Sequence, residues 1–225
     1  MTLTGEWRGV NVTIWSDIGC PWASLAVWRL HARRAALGLD GVRFEHRCFP
    51  LELFNDGPTH RAVIAAEVEA VAPLIPDAGW RPWWREEWLY PVTTLPALEA
   101  VQAAKEQGPE ASERLDLALR QAFWRDARCI SLRSEILGAA ETAHVDVGAL
   151  ADALDTGRAR HAVIADWHAA RDGAAEGSPH VFVAGNGTLN PGITQHWQGP
   201  KPGGHPVIES DDVGAIDALL RAAAD

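Results

Sequence analysis

The sequence predicts an α/β fold: a β–α–β unit opens the chain, a helical block follows, and a β–β–α unit closes it. Three observations carry this reading. Strand-like alternation appears twice near the start, at Asn11 to Ser16 and Val42 to Phe49, around a helical stretch. It then vanishes through a helical block that runs from Thr59 to Gly173. It returns at His180 to Ala184, just before a Gly185-Asn186-Gly187 turn.

Each element has a local reason. Asn11 to Ser16 (NVTIWS) is rich in β-branched and aromatic residues. Pro21 suits the first turn of a helix, where its missing N–H costs nothing. Trp22 to Leu37 places Leu25, Trp28, Leu30 and Leu37 among alanines, and Gly38 and Gly41 bracket the end. Val42 to Phe49 alternates again, and the handedness rule makes it parallel to the first strand. Pro50 to Pro58 reads as a connection. Helices follow at Arg61 to Val71, Leu95 to Gln107, Glu110 to Asp126, Ser131 to Ala143, Val147 to Leu154 and Ala159 to Gly173. Pro73 and Pro76 interrupt the first part of this block, and Trp80, Trp83, Trp84 and Trp88 lie in a proline-containing stretch. After the late hairpin, which ends at Thr188-Leu189-Asn190, Pro191 to Pro206 reads as a Gly/Pro-rich loop. Asp211 to Ala224 closes as a helix with acids at its positive end. This order divides the chain into a first unit, 1–58 with 174–225, and a helical insertion, 59–173.

Composition excludes several classes of function. Hydrophobic residues are 47% of the 225, enough for a sizeable core. A net charge of -10 argues against nucleic acid or an anionic membrane as partner. Met1 to Trp15 shows no secretory signal, and no apolar run reaches membrane-spanning length, so a cytoplasmic protein is expected. The 3 cysteines, Cys20, Cys48 and Cys129, are too scattered for a disulfide scaffold or a structural zinc site. Abundant Ala, and Arg in place of Lys, point to a GC-rich bacterial genome.

The chemistry-bearing segment is Ser16-Asp17-Ile18-Gly19-Cys20-Pro21-Trp22-Ala23, where a strand ends and a cysteine followed by Pro-Trp opens a helix. Gly177-Ser178-Pro179 enters the strand at His180. Phe123 to Ala170, with Arg128-Cys129-Ile130-Ser131, ends the helical block. These three marks resemble the DsbA/FrnE-type oxidoreductases, which have a thioredoxin-like fold with a helical domain inserted after the first β–α–β unit. That resemblance implies a nucleophile at Cys20 and a cis-proline at Pro179, with Pro21, Trp22, Ala23, Ser178 and His180 contacting substrate. The chain departs from the family pattern at one decisive place. Ala23 stands where the family motif, Cys-Pro-Trp-Cys, has its resolving cysteine. Ser178 and His180 also replace the usual Val and Thr.

A thiolate attacks a disulfide and a thiol does not. A helix N-terminus stabilises the anion, so Cys20 is expected to be exposed and acidic, with Trp22 shielding one side, while Cys48 and Cys129 are inert. Without a thiol at Ala23, an external thiol must resolve the adduct. The leading expectation is a monothiol thiol-disulfide oxidoreductase acting on a protein disulfide or a small thiol. It has no tightly bound cofactor, and glutathione or mycothiol serves as the low-molecular-weight thiol. A second reading follows 2-hydroxychromene-2-carboxylate isomerase and kappa-type glutathione transferase: a bound thiol adds to a small apolar or aromatic substrate. A third is a binding protein that kept the fold without catalysis. A homodimer is compatible with all three. The tryptophan run reads as packing, Asp17 as a turn and capping residue, Glu86-Glu87 as a solvated face, and His196 and His205 as surface histidines without metal-ligand spacing.

Overall fold

The computed structural model describes residues 12–224. Its main sheet has four strands in the order β2-β1-β3-β4. β1 is Val12–Ser16, β2 Phe44–Cys48, β3 His180–Val183 and β4 Asn186–Leu189. β1 runs parallel to β2 and antiparallel to β3, so the strands expected as neighbours are neighbours. Asn11, read as the first strand residue, lies outside the described residues.

Pleating explains the two layers. Val12, Ile14, Phe44, Val181 and Val183 point to one face. They pack against Val27 and Leu30 of helix α1 (Pro21–Ala36) and Ile216 and Leu220 of helix α9 (Val213–Ala224). Side chains alternate along a strand, so Trp15 points to the other face, where it packs with Phe49, Ala170 and Ala175. Burying each aliphatic side chain here contributes roughly 1.5–3 kcal/mol.

Helices fill the chain between β2 and β3. They are α2 (Leu51–Phe54), α3 (Arg61–Val71), α4 (Leu95–Ala104), α5 (Pro109–Trp124), α6 (Arg133–Thr142), α7 (Val147–Thr156) and α8 (Arg160–Ala169). Only the short α2 was not expected; it occupies the Pro50–Pro58 connection. Asp146 caps α7 by accepting from Ala149 N–H, and Gly157 ends it in the left-handed region. The apolar faces of these helices share a core with Ile18, Trp22, Ala23 and Leu25.

Two corrections concern the last third of the chain. The hairpin turn sits at Ala184-Gly185, both at positive φ, and Asn186-Gly187 already belong to β4. The segment Pro191 to Pro206, read as loop, carries most of a second hairpin: β5 (Ile193–Gln198) pairs antiparallel with β6 (His205–Asp211). Its weak apolar alternation, with every second residue half-buried, is hidden by polar residues and by the turn's own Gly and Pro. Gly204 is required there: a Cβ would lie 2.2 Å from the Gln198 carbonyl oxygen.

Candidate active site

β1 and β2 end at the same edge of the sheet, and the chain leaving β1 forms a tight loop before α1. Asp17 makes that loop. Its Oδ1 accepts from Gly19 N–H at 2.8 Å and its Oδ2 from Leu51 N–H at 2.9 Å. Both oxygens are thus used structurally, which agrees with the turn-and-capping reading, and burial raises its pKa despite these bonds. Gly19 is needed for close approach, since a Cβ would lie 2.8 Å from Thr94 Cγ2. Glu52 holds the facing segment: its Oε1 accepts from Thr93 Oγ1 at 2.6 Å and from Thr94 N–H at 2.9 Å.

Cys20 is the N-cap residue of α1, with extended backbone, and its carbonyl accepts the first helical bond from Ser24. Its side chain does not cap. Instead the thiol donates to the Ser178 carbonyl at 3.2 Å. Ser178 binds the loop twice, because its hydroxyl also accepts from Asp17 N–H at 2.9 Å. The Ser178–Pro179 peptide is cis. The residues flagged in two distant sequence segments therefore meet at one sulfur. Trp22 and Pro179 line one crevice with Asn190 and Ile193. Ala23 is wholly buried in the first turn of α1. His180 lies on the Trp15 face of the sheet, where its Nδ1 accepts from Glu176 N–H and its ring packs on Phe182. Burial lowers its pKa.

The exposed, acidic Cys20 expected from the sequence is not what forms. Cys20 is 5% exposed, and burial, followed by the charge of Glu67, pushes its thiol up to about 12. Asp17 adds to the rise, while the Ala23 amide and Ser178 pull in the other direction. The helix terminus is present, but desolvation outweighs it. Trp22, expected to leave the sulfur open, is buried with it. Cys48 is buried and its thiol is raised as well; Cys129 is the most exposed of the three.

Beneath the loop lies a residue that sequence reasoning missed. Arg120 of α5 is fully buried and uses all five of its N–H donors. They reach both Asp116 oxygens, the Asp17 carbonyl, and the hydroxyls of Ser16 and Ser24, at 2.7–3.1 Å. Trp124 Nε1 adds a bond to Ser24 Oγ at 2.9 Å. Asp116 and Arg120 stand four apart on a helix, which usually marks a solvated pair. The one signal was their place among Leu115, Leu119 and Phe123 on an otherwise apolar face.

The tryptophans divide. Trp80 packs between Trp28 and Trp124, as the packing reading expects. Trp83, with Tyr90 and Phe123, lines a small cavity of about 60 Å³, while Trp88 is 81% exposed. A second small cavity, about 50 Å³, borders Asp17, Gly19, Thr93 and Thr94. A larger one, about 560 Å³, is lined chiefly by Leu95, Pro96, Ile136, Leu154 and Val163, with Thr93 shared between the two. His196 pairs with Glu209 on the exposed hairpin at 2.7 Å. Among the described residues, no helix is long and apolar enough to cross a membrane.

The model of the DSBA-like thioredoxin domain family matches residues 11–198. Among solved structures, the probable DsbA oxidoreductase SCO1869 from Streptomyces coelicolor is 22% identical, with a TM-score of 0.63 over 94% of this chain and 88% of that one. The cytosolic disulfide reductase DsbM from Pseudomonas aeruginosa gives 15% identity and a TM-score of 0.63, covering 94% and 96% of the two chains. DsbM has also been solved with GSH. A 2-hydroxychromene-2-carboxylate isomerase gives 14% and 0.56, covering 79% and 87%. At these identities the likeness shows the fold. Comparison with curated proteins gives no match.

Proposed function

Since the chain belongs to the DSBA-like thioredoxin domain family, we propose that it is a single-thiol disulfide oxidoreductase in which Cys20 is the nucleophile. The observation that carries this reading is the Cys20 sulfur at the start of α1, hydrogen-bonded to the carbonyl that precedes Pro179. The resting thiol is neutral. An extended substrate that donates a backbone N–H to the Ser178 carbonyl takes over the thiol's acceptor and frees the sulfur, with Pro21, Trp22, Ala23, Pro179 and His180 forming the surrounding contact surface. The freed thiol loses its proton to solvent, and the Cys20 thiolate attacks R–S–S–R′: the bond from Cys20 to the R sulfur forms as the substrate S–S bond breaks, and the departing R′S⁻ takes up a proton. Ala23 has no sulfur, so an external thiolate attacks the mixed disulfide and returns Cys20. The solved complex of DsbM with GSH supports glutathione as that thiol, with mycothiol the same chemistry on another scaffold. A reducing cytoplasm supplies such thiols and suits this cycle. In this reading 59–173 acts as an inserted helical domain on a thioredoxin-like core of 1–58 and 174–225.

One observation favours the second reading, a thiol-dependent isomerase or transferase. A neutral Cys20 thiol is a hydrogen-bond donor, as its bond to the Ser178 carbonyl shows, and is suited to hold a bound thiolate. Cys20→Ser separates the two. Glutathione-coupled reduction of a disulfide should fall at least about 100-fold in the variant, because its only nucleophile is gone. Retained disulfide reduction contradicts the proposal. Retained glutathione addition to an aromatic electrophile, with disulfide reduction absent in both proteins, transfers the assignment to the second reading.

A further inference from the structure

The cavity of about 560 Å³ lies among four helices, α4, α6, α7 and α8, and Cys20 is not in its wall. The wall is aliphatic: Leu95 and Pro96 come from α4, Ile136 from α6, Leu154 from α7, and Val163 and Ile164 from α8. Ile164, 42% exposed, stands at its outer edge. The polar groups of the wall are mostly paired. Ser131 Oγ donates to the Thr93 carbonyl at 2.7 Å. Arg133 holds Asp155 through two bonds, at 2.9 and 2.8 Å. Arg160 Nε donates to Glu99 Oε2 at 3.0 Å. Two ion pairs leave this wall without net charge.

One acceptor is left over. Glu99 is 7% exposed, and its Oε1 is enclosed with no hydrogen-bond partner among the described residues. An enclosed acceptor in that state is destabilising. Arg160, beside it, spends only Nε on the pair, and its side chain is 71% exposed, so its other N–H groups remain available. An acceptor and a donor therefore stand side by side at an aliphatic cavity. Small-molecule sites have this make-up, apolar space with a few placed polar groups.

We propose that this cavity is a second ligand site, for a neutral phenolic compound, and that it serves a function separate from the thiol chemistry of Cys20. The phenolic O–H donates to Glu99 Oε1, the same oxygen accepts from Arg160, and the ring lies on Leu154 and Val163. A turn of the Glu99 carboxyl about its soft terminal torsion brings Oε1 to the cavity. A hydroxyl answers both partners, since it donates and accepts. A carboxylate is repelled by Glu99, and an ammonium meets the charge of Arg160. With a pKa near 10, a phenol stays neutral at pH 7 and is a stronger donor to a carboxylate than an aliphatic alcohol.

The test is equilibrium dialysis of 2-naphthol against the full chain, with naphthalene and naphthalene-2-carboxylate as controls. The unaltered protein should bind 2-naphthol at least about tenfold more tightly than either control, the worth of one good hydrogen bond. Glu99→Leu keeps the bulk and removes the acceptor, so the preference over naphthalene should shrink to about twofold or less. Ile164→Trp puts a large ring at the edge of the cavity and should weaken 2-naphthol about tenfold or more, whereas Ile164→Ala should not. The proposal is overturned if the unaltered protein binds no 2-naphthol, or binds either control as tightly. It is also overturned if Glu99→Leu keeps the preference or Ile164→Trp binds as before. An interface between copies in place of a ligand site would show as altered sedimentation of Ile164→Trp with no 2-naphthol bound, which again overturns it. Should a variant fail to fold by circular dichroism, the selectivity of the unaltered protein and the remaining variant decide.

Discussion

Cys20 and Cys48 lie at the same end of the sheet, yet the structure treats them differently. Ser16 and Cys48 are register partners at the ends of the parallel β1–β2 pair, and Cys20 follows Ser16 by one short loop. Both thiols are buried and both are raised by that burial. Cys48 is fixed inside regular structure: its amide donates to Asp166 Oδ2 at 2.8 Å and its sulfur accepts from Gln102 Nε2 at 3.2 Å. Cys20 is held by a loop, a helix start and one carbonyl of another loop. Acidity therefore does not distinguish the two thiols in the resting molecule. What distinguishes them is the partner: the Cys20 thiol rests on a backbone carbonyl that a substrate can claim, whereas Cys48 rests on a buried side chain.

If the Cys20 loop is held from below, removing its support should have the largest effect. Arg120→Ala leaves Asp116, the Asp17 carbonyl and two hydroxyls without their buried partner. A loss of about 3–5 kcal/mol is expected, read from urea unfolding. Native-state hydrogen exchange should show residues 16–24 opening more than β2. Equal loosening at Cys48 would erase the difference between the two regions.

A second test uses pH. His31 of α1 is partly buried near Glu113, its side chain 14% exposed, and desolvation lowers its pKa to about 4; His46 of β2, fully enclosed and 3.5 Å from Asp116, is lowered for the same reason. Between about pH 6.5 and about 4 the unfolded chain binds a proton at His31 that the folded chain does not. Stability therefore falls as pH falls through that window. Asp17, Glu67 and Asp166 have raised pKa values and bind protons first in the folded state, which offsets part of the loss. The measurement is a difference: His31→Gln should remove about 2 kcal/mol of the loss between pH 7 and pH 5. A pH dependence unchanged by the substitution contradicts a neutral buried ring.

The smallest effect is local. Ser178→Ala deletes the acceptor of the Asp17 amide and should cost about 1 kcal/mol. Cys20 alkylation should quicken while Cys48 stays protected, because the loop loosens without the strand ends moving. Equal acceleration at both cysteines would mean that Ser178 supports the whole sheet edge and not the Cys20 loop.

Much of the fold was legible because its signals are local. Alternation gave β1, β2 and β3, and proline and glycine marked the limits of the helices. The β5–β6 hairpin was not legible, because Ile193, Gln195 and Trp197 make a weak pattern between glycines and prolines. The site was half legible. Cys-Pro-Trp and Ser-Pro identified which segments meet, since motif chemistry is local too. The state of the sulfur was not. The helix terminus argues for an acidic thiol, but burial by Trp22 and the charge of Glu67 reverse that, and Glu67 comes from a helix distant in sequence. Arg120 was hidden for the same reason: apart from Asp116 on its own helix, its partners lie on β1, on α1 and in the loop between them, and only folding brings them to one guanidinium.

The most direct test of Cys20 as a lone nucleophile is a mass-spectrometric map of the reduced protein after exposure to oxidised glutathione. With Cys20 as that nucleophile, one glutathione is expected on Cys20 and none on Cys48, and the adduct should persist until external thiol is added. In Ala23→Cys the same adduct should be short-lived, replaced by an internal disulfide between Cys20 and the introduced thiol. Glutathione on Cys48 or Cys129 with none on Cys20 would contradict Cys20 as that nucleophile.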